Sequence, residues 1–317
     1  MYENLPEKLE YIGEFGSEIV LFIPFLRFLN KKGFLKNRKI ITYPGMEIFY
    51  KASDLPLPEI KNKKRSHLNS SKLIPWLPIW ENHDPRNQIE NTFFDYPNYR
   101  KYFNKTDLNL NCIFEQEKPL FIIFNKVDSE WGGFPINYFD AKDLSKIFSI
   151  LGNKFNLIYC QHNLFEIDKK QYSVDYDENP NPHNPNTHNI YKRIKYIYKR
   201  IKSKILKRKI DSINSNIIRL LNKQSPNNFI TIQNLYKNST IKNKYSYNEL
   251  NCKLLSLSRD FISVQGGGSD LLASFGDCNL HILHKKVENI QIHILMVITN
   301  LLLQCLQRLL YFQITKN

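Results

Sequence analysis

One apolar run constrains the fold of this 317-residue chain more than any other feature. Leu120–Phe124 is apolar throughout, which is typical of a strand in a parallel sheet that is covered on both faces. Strand-like and helix-like segments then alternate along the chain, which predicts a layered α/β domain. The later predicted elements are a helix capped by Asp140 and ending at Gly152, strands at Phe155–Cys160 and Phe229–Gln233, a helix at Tyr245–Ser258, and strands from Phe261 and at Asn279–Leu283.

A second region with the same rhythm lies near the N-terminus. The pattern predicts a helix with Ser17 as its N-cap, Glu18 in its first turn and a kink at Pro24. A strand at Lys39–Tyr43 and a helix at Met46–Lys51 follow. We therefore predict two α/β domains, residues 1–117 and residues 118–286.

The net charge of +15 is concentrated in one segment. Ten Lys or Arg residues and no acid lie between Lys192 and Lys209, within a long helix predicted over 189–222. This helix and the polar loop before it form an insert, residues 171–224, in the second domain. A solvated face and an anionic membrane surface are both compatible with the pattern, whereas nucleic acid is disfavoured because no aromatic platform accompanies the charge. Its apolar residues recur at helical spacing: Ile190, Ile194, Ile197, Ile201 and Ile205.

A glycine turn follows the strand that starts at Phe261. The residues Gln265, Gly266, Gly267, Gly268 and Ser269 lead into a helix that is predicted to begin at Ser269-Asp270. Glycines let the backbone approach a ligand closely, and the free N–H groups of a helix start favour phosphate or carboxylate. The alternative is a tight turn without a ligand. Neither the dinucleotide fingerprint nor the Walker loop is present.

Further candidate residues lie in two other segments. Asn125, Lys126, Glu130 and Trp131 follow the strand Leu120–Phe124, so they could line a cleft opposite the glycine turn. Asn125 and Lys126 are the candidates for binding a phosphate, and Trp131 could stack on a ring. A plain surface loop is the alternative for this segment. Glu18 is a candidate general base, although it could equally serve to complement the helix N-terminus.

The sequence indicates no metal site and no disulfide framework. The five cysteines lie far apart without a Cys-x-x-Cys pair, and the eight histidines have no ligand spacing. Asp175-Tyr-Asp177 resembles a metal motif but lies in the polar loop. The basic run Lys61–Arg65 is expected to be solvated. Cysteine usage favours the cytosol, and the first residues lack a secretory-signal pattern.

Three segments together resemble an uncharacterised family assigned as glycosyltransferases of GT-B type, which is encoded in bacterial surface-polysaccharide loci and some large viruses. The segments are Gly13–Pro24, Asn125-Lys126 with Glu130-Trp131-Gly132, and Phe261–Ser269 with Leu272–Gly276. The resemblance covers about residues 9–165 and 228–286, and the order of the segments carries it.

This resemblance implies two Rossmann-like domains that face each other across a cleft. It implies that a nucleotide-sugar binds with its diphosphate near Gly266–Ser269, and that a glycan or lipid-linked acceptor binds near Gly16, Ser17 and Glu18. No bound metal is expected, because helix N-termini and basic side chains neutralise the departing diphosphate. Such an enzyme would act in surface polysaccharide synthesis, in the cytoplasm or at the inner face of the membrane.

Two segments depart from the family pattern, namely the basic insert and the apolar residues 287–317. A frameshifted or degraded ending is one interpretation of the latter, and it would put activity in doubt. The competing hypotheses are a non-catalytic, membrane-associated binding protein derived from such an enzyme and a nucleic-acid-binding protein.

Overall fold

The computed structural model describes residues 5–13, 15–61, 94–104, 108, 110, 113–114, 117–127, 135, 137–161, 190–223, 229–264, 267–286 and 289–296. These residues form an α/β fold of Rossmann-like kind with parallel sheets, which confirms the predicted fold class at that level. The arrangement of two domains across a cleft stays a prediction. None of the helices in the described ranges has the length and apolar character that crossing a bilayer requires.

The N-terminal sheet has three parallel strands in the order β1-β2-β3. The register places Leu9 opposite Ile40 and Ile41 opposite Glu59. The elements, in chain order, are β1 (Lys8–Glu10), α1 (Phe15–Ser17), a π-helical segment (Glu18–Phe22), α2 (Ile23–Lys31), β2 (Lys39–Thr42), α3 (Glu47–Lys51) and β3 (Glu59–Ile60).

The first helix differs from the prediction at its start and around its proline. Ser17 has helical backbone angles and makes no side-chain capping bond, so the prediction that it is the N-cap is wrong. The N–H of Ile23 donates to the carbonyl of Glu18, five residues back, in the π-helical pattern. Because Pro24 has no N–H to donate, this wider turn and the restart of the α-helix at Ile23 accommodate it at the start of α2.

The C-terminal sheet has six strands in the order β6-β5-β4-β7-β8-β9, all parallel except the antiparallel edge strand β9. Its elements follow the linking helix α4 (Tyr99–Phe103). They are β4 (Leu120–Asn125), α5 (Ala141–Leu151), β5 (Asn156–Gln161), α6 (Ile190–Leu221), β6 (Phe229–Thr231), α7 (Ile232–Tyr236), α8 (Ser239–Lys244), α9 (Tyr247–Leu257), β7 (Asp260–Val264), α10 (Gly267–Ala273), β8 (Asn279–Lys286) and β9 (Asn289–Met296).

Local capping explains several of these boundaries. The carboxylate of Asp140 accepts hydrogen bonds from the backbone N–H groups of Lys142 and Asp143, which confirms it as the N-cap of α5. Thr231 accepts a bond from the N–H of Asn234 and thereby starts α7. The strand predicted at Phe229–Gln233 therefore ends two residues early.

Both faces of the C-terminal sheet are covered, as the apolar run in β4 predicts. Phe121 and Ile123 belong to a core with α5 and the second half of α6, whereas Ile122 and Phe124 point to the other face. That second face shares one continuous buried cluster with the N-terminal sheet and its helices. A strand exposes successive side chains to opposite faces, so β4 contributes to both cores.

The linking helix α4 joins the two sheets. Tyr99 and Phe103 lie with their ring centroids 5.9 and 6.0 Å from that of Phe275, just beyond α10. The guanidinium of Arg100 donates to the carbonyl oxygens of Ser256 and Ser258, both at 2.8 Å, and to that of Gly276 at 3.2 Å. The side chains of α4 therefore hold the ends of α9 and α10 against the N-terminal half.

Candidate functional site

The candidate site lies where the strand order of the C-terminal sheet reverses. From β4 the chain proceeds through β5 to β6 on one side, and then returns to place β7 on the other side of β4. Strands β4 and β7 are parallel, with Phe124 opposite Ser263, so the segments that follow them leave the same edge of the sheet. This confirms the shared edge predicted for Lys126 and the glycine turn. In open α/β sheets, the crevice at such a reversal is where ligands bind.

The helix after β7 begins earlier than the sequence suggests. α10 starts at Gly267, so two of the three glycines and the buried Ser269 lie within its first turn. A Cβ atom at Gly268 would lie 3.2 Å from Cδ1 of Phe124, which is closer than such contacts normally come. Gly268 thus lets α10 approach β4 closely. Gln265 and Gly266 lie outside the described residues.

Asn125 is the last residue of β4, and its buried side-chain amide is hydrogen-bonded within the protein through both its nitrogen and its oxygen. Its Nδ2 donates to the carbonyl of Phe139 and the hydroxyl of Tyr159, both at 2.9 Å, and its Oδ1 accepts from the N–H groups of Phe139 and Lys126. Because neighbouring residues of a strand face opposite ways, Asn125 points to the α5 face while Phe124 points to α10. Asn125 therefore shapes the loop that carries Lys126 instead of facing α10.

Lys126 is the half-buried basic residue of this edge. It lies directly after β4, and its ammonium group forms no ion pair with any of the described residues. Glu130 and Trp131, the other candidates of this loop, lie outside the described residues.

A buried polar network reinforces the same edge of the sheet. Gln161, the last residue of β5, accepts a hydrogen bond from the hydroxyl of Tyr159 and donates to Oδ1 of Asn214 on α6 at 2.8 Å. Its backbone carbonyl accepts from Nε2 of Gln233 at 3.1 Å. Burial raises the pKa of the Tyr159 hydroxyl, so this group stays protonated and can donate. The network fixes the ends of β4 and β5 as a rigid platform.

The N-terminal segment of the candidate site packs directly against α10. Both α1 and the π-helical segment contact α10. Gly16 is buried and Ser17 is half-buried in α1, which follows the carboxyl end of β1. The structure thus brings the Gly16–Glu18 segment to the same place as the helix that follows the glycine turn.

Glu18 is completely buried, with an exposed fraction of 0 %. Its Oε1 accepts a hydrogen bond from the hydroxyl of Thr42, at the end of β2, and another from the hydroxyl of Tyr50 at 2.7 Å. Tyr99 lies nearby, and burial raises the pKa of its hydroxyl. The carboxyl group is held firmly by hydroxyl donors, and it is enclosed by protein instead of lining an open cleft.

The two halves also meet at the start of α9. Nδ2 of Asn248 donates to the carbonyl of Gly45, which follows β2, at 2.7 Å. Asn251 lies one turn further along α9 and is equally buried. The side-chain oxygens of both residues have no hydrogen-bond partner among the described residues. Such oxygens suit donors from water or from a hydroxyl-bearing ligand, since an unpaired buried acceptor is costly.

Lys61 is enclosed at the carboxyl edge of the N-terminal sheet. Its Nζ lies 3.1 Å from Oε1 of Glu10 and 3.8 Å from the ring centroid of Tyr43, and it donates to the carbonyl of Tyr11. Its side chain is only 9 % exposed. The expectation that the basic run is solvated is therefore wrong for Lys61, because β3 leads it into the interior. The rest of that run lies outside the described residues.

No family model, curated protein or solved structure matches this chain.

The described residues contain no group of three or more His, Cys, Asp or Glu side chains that could hold a metal ion. Asp175 and Asp177 lie outside those residues. Three of the cysteines, Cys160, Cys252 and Cys278, are described, and each is buried and forms no disulfide within the described part of the chain.

Several residues of this region carry no signal in the sequence. The partners of Glu18, which are Thr42 and Tyr50, come from other elements, and their spacing does not single them out. The alternation along β4 does predict that Asn125 and Phe124 face opposite ways. A search for polar residues at the ends of the predicted strands would also have found Gln161.

Proposed function

We propose that this chain is a glycosyltransferase that moves a sugar from a nucleotide-sugar donor to a glycan or lipid-linked acceptor. The observation that carries the proposal is the reversal of strand order between β4 and β7, with Lys126 on one side and a helix that begins in glycine on the other. The proposal is supported by the resemblance of Gly13–Pro24, Asn125-Lys126 and Phe261–Ser269 to the GT-B-type family. Folds of this kind support many different reactions, so the proposed activity must be tested by changing individual residues of the site.

The donor diphosphate is assigned to the edge between Lys126 and α10. The first N–H groups of α10 would donate to phosphate oxygens, and Lys126 would add a positive charge. Gly266, Gly267 and Ser269 would contact the diphosphate, while Gly268 and Asn125 would shape the site through Phe124 and Phe139. Gln265, Glu130 and Trp131 are retained as candidate contacts.

The acceptor is assigned to the N-terminal side, near Gly16 and Ser17. Glu18 is the proposed general base, held by Thr42 and Tyr50. Since Glu18 is buried, catalysis by its carboxyl group requires that acceptor binding open a path to it. No metal is needed in this proposal, because the helix start and Lys126 supply the charge stabilisation. We assign the reaction to the cytoplasm, at the inner face of the membrane when the acceptor is lipid-linked.

Donor binding is tested with Gly267→Asp. An acid in the first helical turn is favoured by the helix dipole, so the fold should persist, while its charge repels a diphosphate. We expect calorimetry with UDP-, GDP-, ADP- and CMP-sugars to detect binding of at least one donor by the parent chain and no binding of that donor by this variant. We expect Lys126→Gln to weaken donor binding by roughly ten- to hundredfold, which is the effect of losing one hydrogen bond from a charged group.

Lys142→Gln is the matched control, because Lys142 is an exposed lysine on α5. It should bind the donor as the parent chain does. Unchanged donor affinity in both Gly267→Asp and Lys126→Gln would refute the assigned site.

A second function is a non-catalytic binding protein that retains the donor site. The complete burial of Glu18 favours this alternative, because the carboxyl group has no path to an acceptor in this conformation. Release of nucleoside diphosphate from the donor distinguishes the two. Release that Glu18→Gln abolishes supports the enzyme, whereas donor binding without release in any acceptor mixture supports the binding protein.

A further inference from the structure

Helix α6 has two apolar stripes on different sides. Its second half packs on the core with α5, and Asn214 on this half bonds Gln161. Its first half carries a stripe of isoleucines that the described residues leave exposed. The core-facing stripe consists of Leu206, Ile210, Ile213, Ile217 and Leu221.

The exposed stripe consists of Ile197, Ile201 and Ile205, which are 54, 52 and 50 % exposed, beside Tyr198 at 66 %. Since each residue of an α-helix turns by roughly 100°, the centres of the two stripes lie about 160° apart. The rotation of α6 that buries one stripe therefore turns the other away from the core. The exposed stripe can be covered only by something on the far side of the helix.

The charge around this stripe is of one sign. No acidic residue occurs between Glu178 and Asp211, while ten Lys or Arg residues lie between Lys192 and Lys209. The cations whose side chains are described as exposed are Lys202, Lys204, Lys207, Arg208 and Lys209. An occupant of this face must offer negative charge together with an apolar phase.

We propose that the first half of α6 lies flat on an anionic phospholipid surface. The isoleucines would enter the boundary between headgroups and acyl chains, and the surrounding lysines would contact lipid phosphates, as amphipathic cationic helices do. A nucleic acid would bind the cations through its phosphates but would not cover the three half-exposed isoleucines with an apolar surface. A second copy of the helix would place its ten cations against the ten of the first, and residues 287–317 contain no acid after Glu288 to attract the helix. This inference does not depend on glycosyl transfer.

The experiment is flotation of the full chain with vesicles of phosphatidylcholine alone and of phosphatidylcholine mixed with phosphatidylglycerol. We expect binding to the mixed vesicles only. The combined substitution Ile197→Ser, Ile201→Ser and Ile205→Ser should lower the partition coefficient at least tenfold, because apolar insertion is lost. Isoleucine and serine have similar helix propensities, so the helix should persist, which circular dichroism checks.

The charge variant Lys202→Gln, Lys204→Gln and Lys207→Gln should lower the partition coefficient on the order of a hundredfold, at about fivefold for each cation. Ile150→Ser is the matched control, because Ile150 is 68 % exposed on α5, away from the stripe. It should bind vesicles as the parent chain does.

Three results would overturn the proposal. The first is equal flotation of the parent chain with neutral and anionic vesicles, or none with either. The second is binding to duplex DNA that the lysine variant loses and the isoleucine variant keeps, together with unchanged vesicle binding of the isoleucine variant. This combination would indicate that the helix binds nucleic acid. The third is a change from dimer to monomer in the isoleucine variant without loss of flotation, which would indicate self-association.

Discussion

At the scale of single residues, the most consequential feature is the enclosed carboxyl group of Glu18. A buried polar group is stable only when it is hydrogen-bonded, and here two hydroxyl groups supply the donors. Thr42 comes from the end of β2 and Tyr50 from α3, so the carboxyl group ties three elements together. Glu18 therefore stabilises the N-terminal half whether or not it also takes part in catalysis.

We expect Tyr50→Phe to lower the free energy of unfolding by about 1–2 kcal/mol, because it leaves a buried oxygen of Glu18 with one donor fewer. Tyr99→Phe is the matched control, since Tyr99 is equally buried but its hydroxyl contacts that of Ser53 at a long 3.4 Å. Urea denaturation of both variants measures the difference. Equal losses of unfolding free energy in the two variants would mean that the hydrogen bond from Tyr50 to Glu18 adds nothing to the stability of the fold.

The candidate residues show how far single positions can be predicted from sequence. The glycines after Phe261 predict a turn at the sheet edge, and α10 begins there. Their separate roles depend on tertiary contacts, because only the approach of Phe124 distinguishes Gly268 as a packing residue. The sequence predicts Asn125 at a phosphate, whereas in the structure its amide holds the backbone of Phe139, a residue that no local pattern connects to it.

At the scale of elements, the periodic patterns in the sequence predict which helices and strands exist better than they predict where each one begins and ends. Apolar runs and capping residues indicate β4, β5, α5 and α9 correctly, since these signals are local. The start of α1, the π-helical turn before Pro24 and the early end of β6 depend on how the chain packs. The exposure of Ile197, Ile201 and Ile205 could not be inferred from their spacing, because spacing shows that residues share a face and not what that face contacts.

Arg100 joins helix α4 to the ends of α9 and α10. Its guanidinium bonds three carbonyl oxygens at the ends of α9 and α10, where helices leave such groups unpaired, and burial lowers its pKa. Arg100→Met keeps much of the apolar stem but removes all three donors. We expect a loss of about 3 kcal/mol in the free energy of unfolding.

Lys101→Met is the control for this change, because Lys101 is an exposed residue of the same helix. Its effect should stay within about 0.5 kcal/mol, as is usual for surface positions. Thermal denaturation followed by circular dichroism compares the two variants. A similar small effect of Arg100→Met would show that α4 is held by its aromatic contacts with Phe275 alone.

At the scale of the whole molecule, the two sheets share one core. The buried cluster runs without interruption from Leu9 and Phe22 of the N-terminal half to Phe124 and Leu272 of the C-terminal half. Arg100 and Asn248 add polar ties between the halves. Domains with a small polar interface move independently, whereas an extensive apolar interface joins their stabilities. We therefore expect both halves to unfold together.

Cysteine labelling tests this expectation, because buried thiols react only when their surroundings open. Cys252 on α9 reports on the C-terminal half, and Ala52→Cys, at a buried position after α3, provides a reporter in the N-terminal half. Burial raises the pKa of the Cys252 thiol and raises that of Cys278 to about 11. At pH 8 the folded chain should thus hold few thiolates at these positions, so labelling at this pH reports on opening.

In increasing urea, mass spectrometry should find that the two reporters become reactive at the same concentration, because one cooperative opening exposes both. The free energies of opening should agree within about 0.5 kcal/mol, provided that Ala52→Cys leaves the parent transition unchanged. Reactivity of the N-terminal reporter at clearly lower urea would instead show that the halves open separately. That outcome would support two domains that can move relative to each other about a cleft.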